Sequence, residues 1–139
     1  MTNTASTGAA RVGGGPTVHT QERDGVLVIT IDRPQVRNAV DGATAKALAA
    51  ALDHLDASDD LAVGVLTGAG GNFSAGMDLK AYAAGDTPVV PGRGFGGLTR
   101  ARIRTPLIAA VEGWAVGGGT EMALACDCLL YTSPSPRDS

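Results

Sequence analysis

Cysteine is scarce in this sequence, aromatic rings are few, and no apolar run is long enough to span a bilayer. The two cysteines, Cys126 and Cys128, have a single residue between them. They cannot form a disulfide framework, so a reducing, cytoplasmic setting is the expectation. With 4% aromatics against 44% hydrophobic residues, the core must be built of Ala, Val, Leu and Ile. A net charge of −3 provides no whole-chain field for nucleic acid, so any anionic ligand has to be held by local Arg or Lys. The opening stretch MTNTASTGAARVGGG lacks the apolar segment of a secretory signal. No repeat of solenoid period is visible, and 139 residues suit one domain.

Glycine, by contrast, is abundant, at 20 residues. Residues 1–16, rich in Thr, Ala, Ser and Gly, read as a disordered leader. VHTQERDGVLVITIDRP then carries a turn at Asp24-Gly25 between two extended runs, which predicts a β-hairpin. In DGATAKALAAALDHLDAS, Asp41 is a candidate N-cap, and Leu48, Ala51, Leu52 and Leu55 fall on one helical stripe. LAVGVLTG and PLIAAVEG lack alternation, which predicts strands buried on both faces. GAGGNFSAGMD is a glycine-rich loop feeding a short helix near Leu79–Ala84, and a further helix is expected over 117–126. GDTPVVPGRGFGG reads as loop. GLTRARIRT reads as part of a helix, and Arg93, Arg100, Arg102 and Arg104 in and ahead of it read as a solvated helical face. The alternation is α/β.

Both glycine stretches thus sit where a strand ends and a helix begins. A helix N-terminus exposes unpaired N–H groups, and glycine, lacking Cβ, lets another atom approach the backbone closely. Two such corners facing each other would aim two donors at one oxygen, which is an oxyanion hole. Each corner alone is better explained by tight strand–helix packing.

Together the motifs are more specific. RPQVRNAV, VLTGAGGNFSAGMDLK and TPLIAAVEGWAVGGGTEMALACD, in that order, closely resemble the enoyl-CoA hydratase/isomerase (crotonase) superfamily over about Val18–Asp127. The resemblance implies a spiral of ββα units in which two peptide N–H groups polarise a thioester carbonyl. Matched by motif, these belong to Met77 and Gly118, and Glu121 matches one of two acid/base carboxylates. It further implies a substrate-binding set of Arg37, Ala75, Met77, Asp78, Leu79, Lys80 and Gly118. Arg33 on the same loop is a second candidate for the phosphates of coenzyme A. The implied partner is an acyl-CoA thioester, with no metal, no cofactor beyond the CoA of the substrate, no nucleic acid and no membrane. The implied activity is that of a hydro-lyase, an enoyl-CoA hydratase, with an isomerase or another reaction of the family as the near alternative.

Three other readings compete with this one. VLTGAGG resembles the first strand and phosphate loop of an NAD(P)-binding short-chain dehydrogenase, but no complete G-x-G-x-x-G follows. NFSAG approaches a nucleophile elbow, yet the two histidines, His19 and His54, both precede Ser74, which excludes the hydrolase order. Some members of the superfamily serve as RNA-binding modules, which the net acidity disfavours.

The last twelve residues, CLLYTSPSPRDS, break from the family pattern and resemble one frame of a transposase adapter used in sequencing libraries. Residues 17–127 are therefore expected to be the N-terminal half of a truncated crotonase-like domain, and 128–139 a non-native tail. The second family carboxylate, about twenty residues beyond Glu121, is then absent. The chain alone is expected to be inactive and association-prone, and its full-length parent a homotrimer or dimer of trimers.

Overall fold

The computed structural model describes residues 17–132. The leader expected over 1–16 and the Pro-rich end of the tail lie outside them. The chain opens with strand β1 (Val18–Arg23) and strand β2 (Val26–Ile31), paired antiparallel with Arg23 opposite Val26. The two-residue turn between them needs positive φ at both positions, and Asp24 (53°) and Gly25 (81°) adopt it.

Helix α1 (Gly42–Ala57) starts where the Asp41 carboxylate accepts the Thr44 N–H at 2.9 Å. Its Leu48, Ala51, Leu52 and Leu55 are buried, as the periodicity predicts, against Leu27, Ile29, Ile31 and Leu66 of one continuous core. Strand β3 (Val63–Gly68) lies parallel to β2, and a glycine-rich loop then leads to the short helix α2 (Leu79–Ala83). Beyond it, strands β4 (Val89–Val90) and β5 (Gly94–Phe95) form a two-stranded hairpin within the stretch read as loop.

Strand β6 (Leu107–Glu112) adds parallel to β3 and leads into helix α3 (Gly118–Ala125). Strand β7 (Cys128–Thr132) closes the described chain, so the five-stranded sheet runs β1-β2-β3-β6-β7. The boundary expected after Asp127 is thus no break in the sheet. Asp127 itself accepts the Leu107 N–H at 2.8 Å, and the following run continues the parallel ladder beside β6.

Two expectations need correction. Residues 98–104 are turn and irregular backbone, not helix. Gly96 and Gly97 enter the segment at positive φ, and the Arg104 and Thr105 N–H groups are captured by Asp56 Oδ1 at 2.9 Å instead of joining a helical ladder. Arg93, assigned to a solvated face, instead reaches Asp53, Gly97 O and Ala49 O. β3 and β6 are also not buried on both faces. Their residues alternate between buried and half-buried, because α1 and the loops cover one face more fully than the described residues cover the other.

Burial, more than capping, should dominate the stability of α1. Leu52→Ala is expected to cost about 2–5 kcal/mol and Asp41→Ala about 1 kcal/mol, read as changes in denaturant midpoint at constant m-value.

Candidate active site

The candidate site lies beyond the carboxyl ends of β3 and β6, the usual ligand edge of a parallel sheet. Two loops emerge there, 69–78 and 113–117. They are joined by a parallel bridge between Ser74 and Ala115. Phe73 N and Ser74 N donate to Trp114 O at 3.0 and 3.1 Å, and Val116 N donates to Ser74 O at 3.1 Å. On its other side the first loop is bridged at Met77 to Val40, with Val40 N donating to Gly76 O at 2.7 Å and Asp78 N to Val40 O at 3.0 Å.

This lacing explains the glycines. Gly76 has φ +92°, and a Cβ there would stand 2.8 Å from Gly118 N. A Cβ on Gly119 would collide with Ser74 O. Any larger residue at these positions would push the two corners apart. Among the described residues, no hydrogen bond uses the N–H of Met77 or of Gly118. Met77 lies between the paired Gly76 and Asp78 with its own amide unused. Gly118 opens α3, where the helical ladder has not begun. Two free donors on abutting backbone segments are what an oxyanion requires.

A buried polar hub fixes the first loop. Asn38 is fully buried, its Nδ2 donating to Ala69 O at 2.8 Å and Asn72 O at 2.7 Å, while its Oδ1 accepts the Arg33 N–H at 2.7 Å. Ser74, also buried, donates from Oγ to Asn38 O at 2.8 Å and accepts the Gly76 N–H at 3.0 Å. The Ser74 hydroxyl is therefore a structural clamp, which removes it as a nucleophile. Asn72 Oδ1 accepts the Trp114 N–H at 3.0 Å and ties the second loop to the first.

Of the sequence-derived ligand set, Arg37, Ala75, Met77, Asp78 and Leu79 line one cavity of about 530 Å³, together with Pro34, Gln35, Val36 and Ala39. Lys80 is exposed on α2 and does not line it. Glu121 sits exposed in the first turn of α3 and lines a second cleft of about 470 Å³ with Val90, Phe95, Thr99 and Arg100. Gly118 lies between the two, its backbone against Gly76 and its Cα beside the Phe95 ring.

Arg33 and Asp78 are committed elsewhere. Arg33 Nη1 donates to Ala39 O at 2.7 Å and to Asp78 Oδ2 at 3.0 Å, with Asp41 at 3.5 Å. Asp78 also caps α2 by accepting the Ala81 N–H at 3.0 Å. Its carboxyl is held below the ordinary value of 3.8 by that amide and, against the opposing effect of burial, by Arg33. Cys126 is no nucleophile, because burial, aided by the Asp127 carboxylate, pushes its thiol up to about 12. Among the described residues no group of three His, Cys, Asp or Glu could hold a metal ion, and no helix is long and apolar enough to cross a membrane.

The family model for enoyl-CoA hydratase/isomerase matches residues 21–135. The chain belongs to this family. Among curated relatives, it is 44% identical over 117 residues to a mevalonyl-coenzyme A hydratase of Beauveria bassiana, covering 76% of this chain and 42% of the relative. It is 46% identical over 110 residues to a carnitinyl-CoA dehydratase of Salmonella arizonae, covering 76% and 41%. An enoyl-CoA hydratase from Mycobacterium marinum superposes with a TM-score of 0.81 at 55% identity, over 84% of this chain and 46% of that one. The chain therefore spans less than half the length of each of these three relatives. Family membership displaces the dehydrogenase reading. The loop after β3 also differs from a phosphate loop, since it makes only a short 3-10 turn at Ala69–Gly71 and bridges Ala115 and Val40 before α2 begins.

Two outcomes test this architecture. Asn38→Ala should destabilise the protein by about 3 kcal/mol or more, because three polar groups lose their partner, read by equilibrium unfolding. Asp78 has a depressed folded-state pKa, so its stabilising contribution is complete above about pH 4 and is lost as pH falls through the depressed value. The melting-temperature difference between wild type and Asp78→Asn should accordingly be largest near neutrality and shrink on acidification below pH 4.

Proposed function

We propose that the protein containing this chain is an enoyl-CoA hydratase, adding water across the double bond of a 2-enoyl-CoA to give the 3-hydroxyacyl-CoA. The observation that carries the reading is the abutment of the Met77 loop on the N-terminus of α3, with the amides of Met77 and Gly118 both unused. Relatives named as hydratases and dehydratases of three different CoA esters support the reaction class.

In this mechanism the thioester oxygen accepts both N–H groups. Water oxygen bonds to C3, and the C2–C3 π pair moves to make the C1–C2 double bond of an enolate whose negative oxygen the two amides hold. One proton leaves the water and one arrives at C2 as the carbonyl re-forms, so the sum is addition of H2O. Glu121 handles one of these transfers as general acid or base. The reaction is redox-neutral, and the amides supply the electrophilic stabilisation that a metal would otherwise give. The cavity lined by Arg37, Ala75, Met77 and Leu79 receives the pantetheine and nucleotide side of the ester.

Hydration is read directly as loss of the absorbance of the conjugated thioester. No change with 2-enoyl-CoA esters of any chain length would overturn the assignment. Glu121→Gln keeps the side-chain shape but cannot exchange a proton, so kcat should fall about 10²–10⁴-fold with little loss of ester binding. Gly118→Pro deletes one donor, for which about 10²–10³ in kcat is expected. Near-normal turnover in Glu121→Gln would leave that residue only its favourable place at a helix N-terminus.

A further inference from the structure

Trp114 is not explained by the reading above. It follows β6, the residue is 54% exposed, and its backbone is fully engaged with the Met77 loop through Asn72, Phe73 and Ser74. The residue borders an apolar groove with Val111, Ala123, Leu124, Leu129 and Tyr131. It also meets Arg37, whose guanidinium carbon stands 5.3 Å from the centre of a Trp114 ring.

Arg37 is exposed, yet among the described residues it has no carboxylate within ion-pair distance. Asp78, the carboxylate that lines the same cavity, is held by Arg33. Its backbone is fixed, with N donating to Pro34 O at 3.1 Å and O accepting the Ala75 N–H at 2.9 Å. What remains free is a long side chain at the wall of the 530 Å³ cavity. Such a side chain ordinarily samples many rotamers and loses that freedom on binding a ligand. An aromatic face under the guanidinium removes part of the cost beforehand without neutralising the charge.

We infer that Trp114 is a positioning residue: its ring holds the Arg37 guanidinium at the cavity wall, pre-organised for an anionic group of the ligand. The inference rests on the proposed acyl-CoA reading, in which that group is a phosphate of coenzyme A. It links the two loops functionally as well as structurally, because one supplies the platform and the other the charge.

The test is a double-mutant cycle on the full-length protein, with binding of coenzyme A itself read by titration calorimetry. An exposed contact of this kind corresponds to roughly two- to five-fold in affinity. Trp114→Ala should therefore weaken coenzyme A by about that factor, Trp114→Phe should restore most of it, and Trp114→Ala in an Arg37→Ala background should have no further effect. A merely structural Trp114 would give the same loss with or without Arg37, and that result overturns the inference, as does an unchanged affinity in Trp114→Ala. If the cycle holds but no enoyl-CoA ester is hydrated, the pairing stands and the hydratase reading falls alone. A protein that does not bind coenzyme A overturns both.

Discussion

The glycine corner depends on one buried side chain. Asn38 bonds to backbone 31 and 34 residues away through Nδ2 and to the start of its own turn through Oδ1. Its carbonyl accepts the Ser74 hydroxyl, which in turn accepts the Gly76 N–H. Through this chain of bonds the Met77 amide is set beside α3 by groups that never touch a ligand. Each member is satisfied only if all are present, so a loop rich in glycine acquires a single conformation despite its backbone freedom.

The same arrangement reconciles a small, aromatic-poor core with a defined site. The hydrophobic core lies under β2, β3 and α1, where Ala and Leu pack closely. Beyond the strand ends, side-chain packing gives way to hydrogen bonds between main-chain segments, because the glycines leave no side chain to interpose. Charge is arranged on the same logic. Arg33 is spent on holding Asp78 and Asp41, which frees Arg37 from carboxylates and leaves it facing the cavity.

Much of this was legible from the sequence, for local physical reasons. Asp24-Gly25 specifies its turn, Asp41 caps its helix and the Leu48–Leu55 stripe buries itself, each by rules acting within a few residues. The motifs likewise brought Arg37, Ala75, Met77, Asp78 and Leu79 to one cavity. What escaped was long-range. Nothing near Asn38 announces partners more than thirty residues away, though an asparagine ahead of a strand–turn junction can adopt the left-handed backbone it shows here, with φ 57°. Leu98, Ala101 and Arg102 imitate a helical face, but Asp56, far away in sequence, takes the backbone amides that a helix there would need. Nothing in the sequence around Trp114 signals its partner either, because the Arg37 guanidinium over its ring comes from a loop far away in the chain.

The central claim is that the amides of Met77 and Gly118 polarise a thioester carbonyl. The infrared difference spectrum of a carbonyl-labelled 2-enoyl-CoA bound to the full-length protein tests it without relying on turnover. The account predicts a carbonyl stretch displaced to lower frequency than in water, with most of the displacement lost in Gly118→Pro. A bound ester whose carbonyl vibrates at its solution frequency would contradict it.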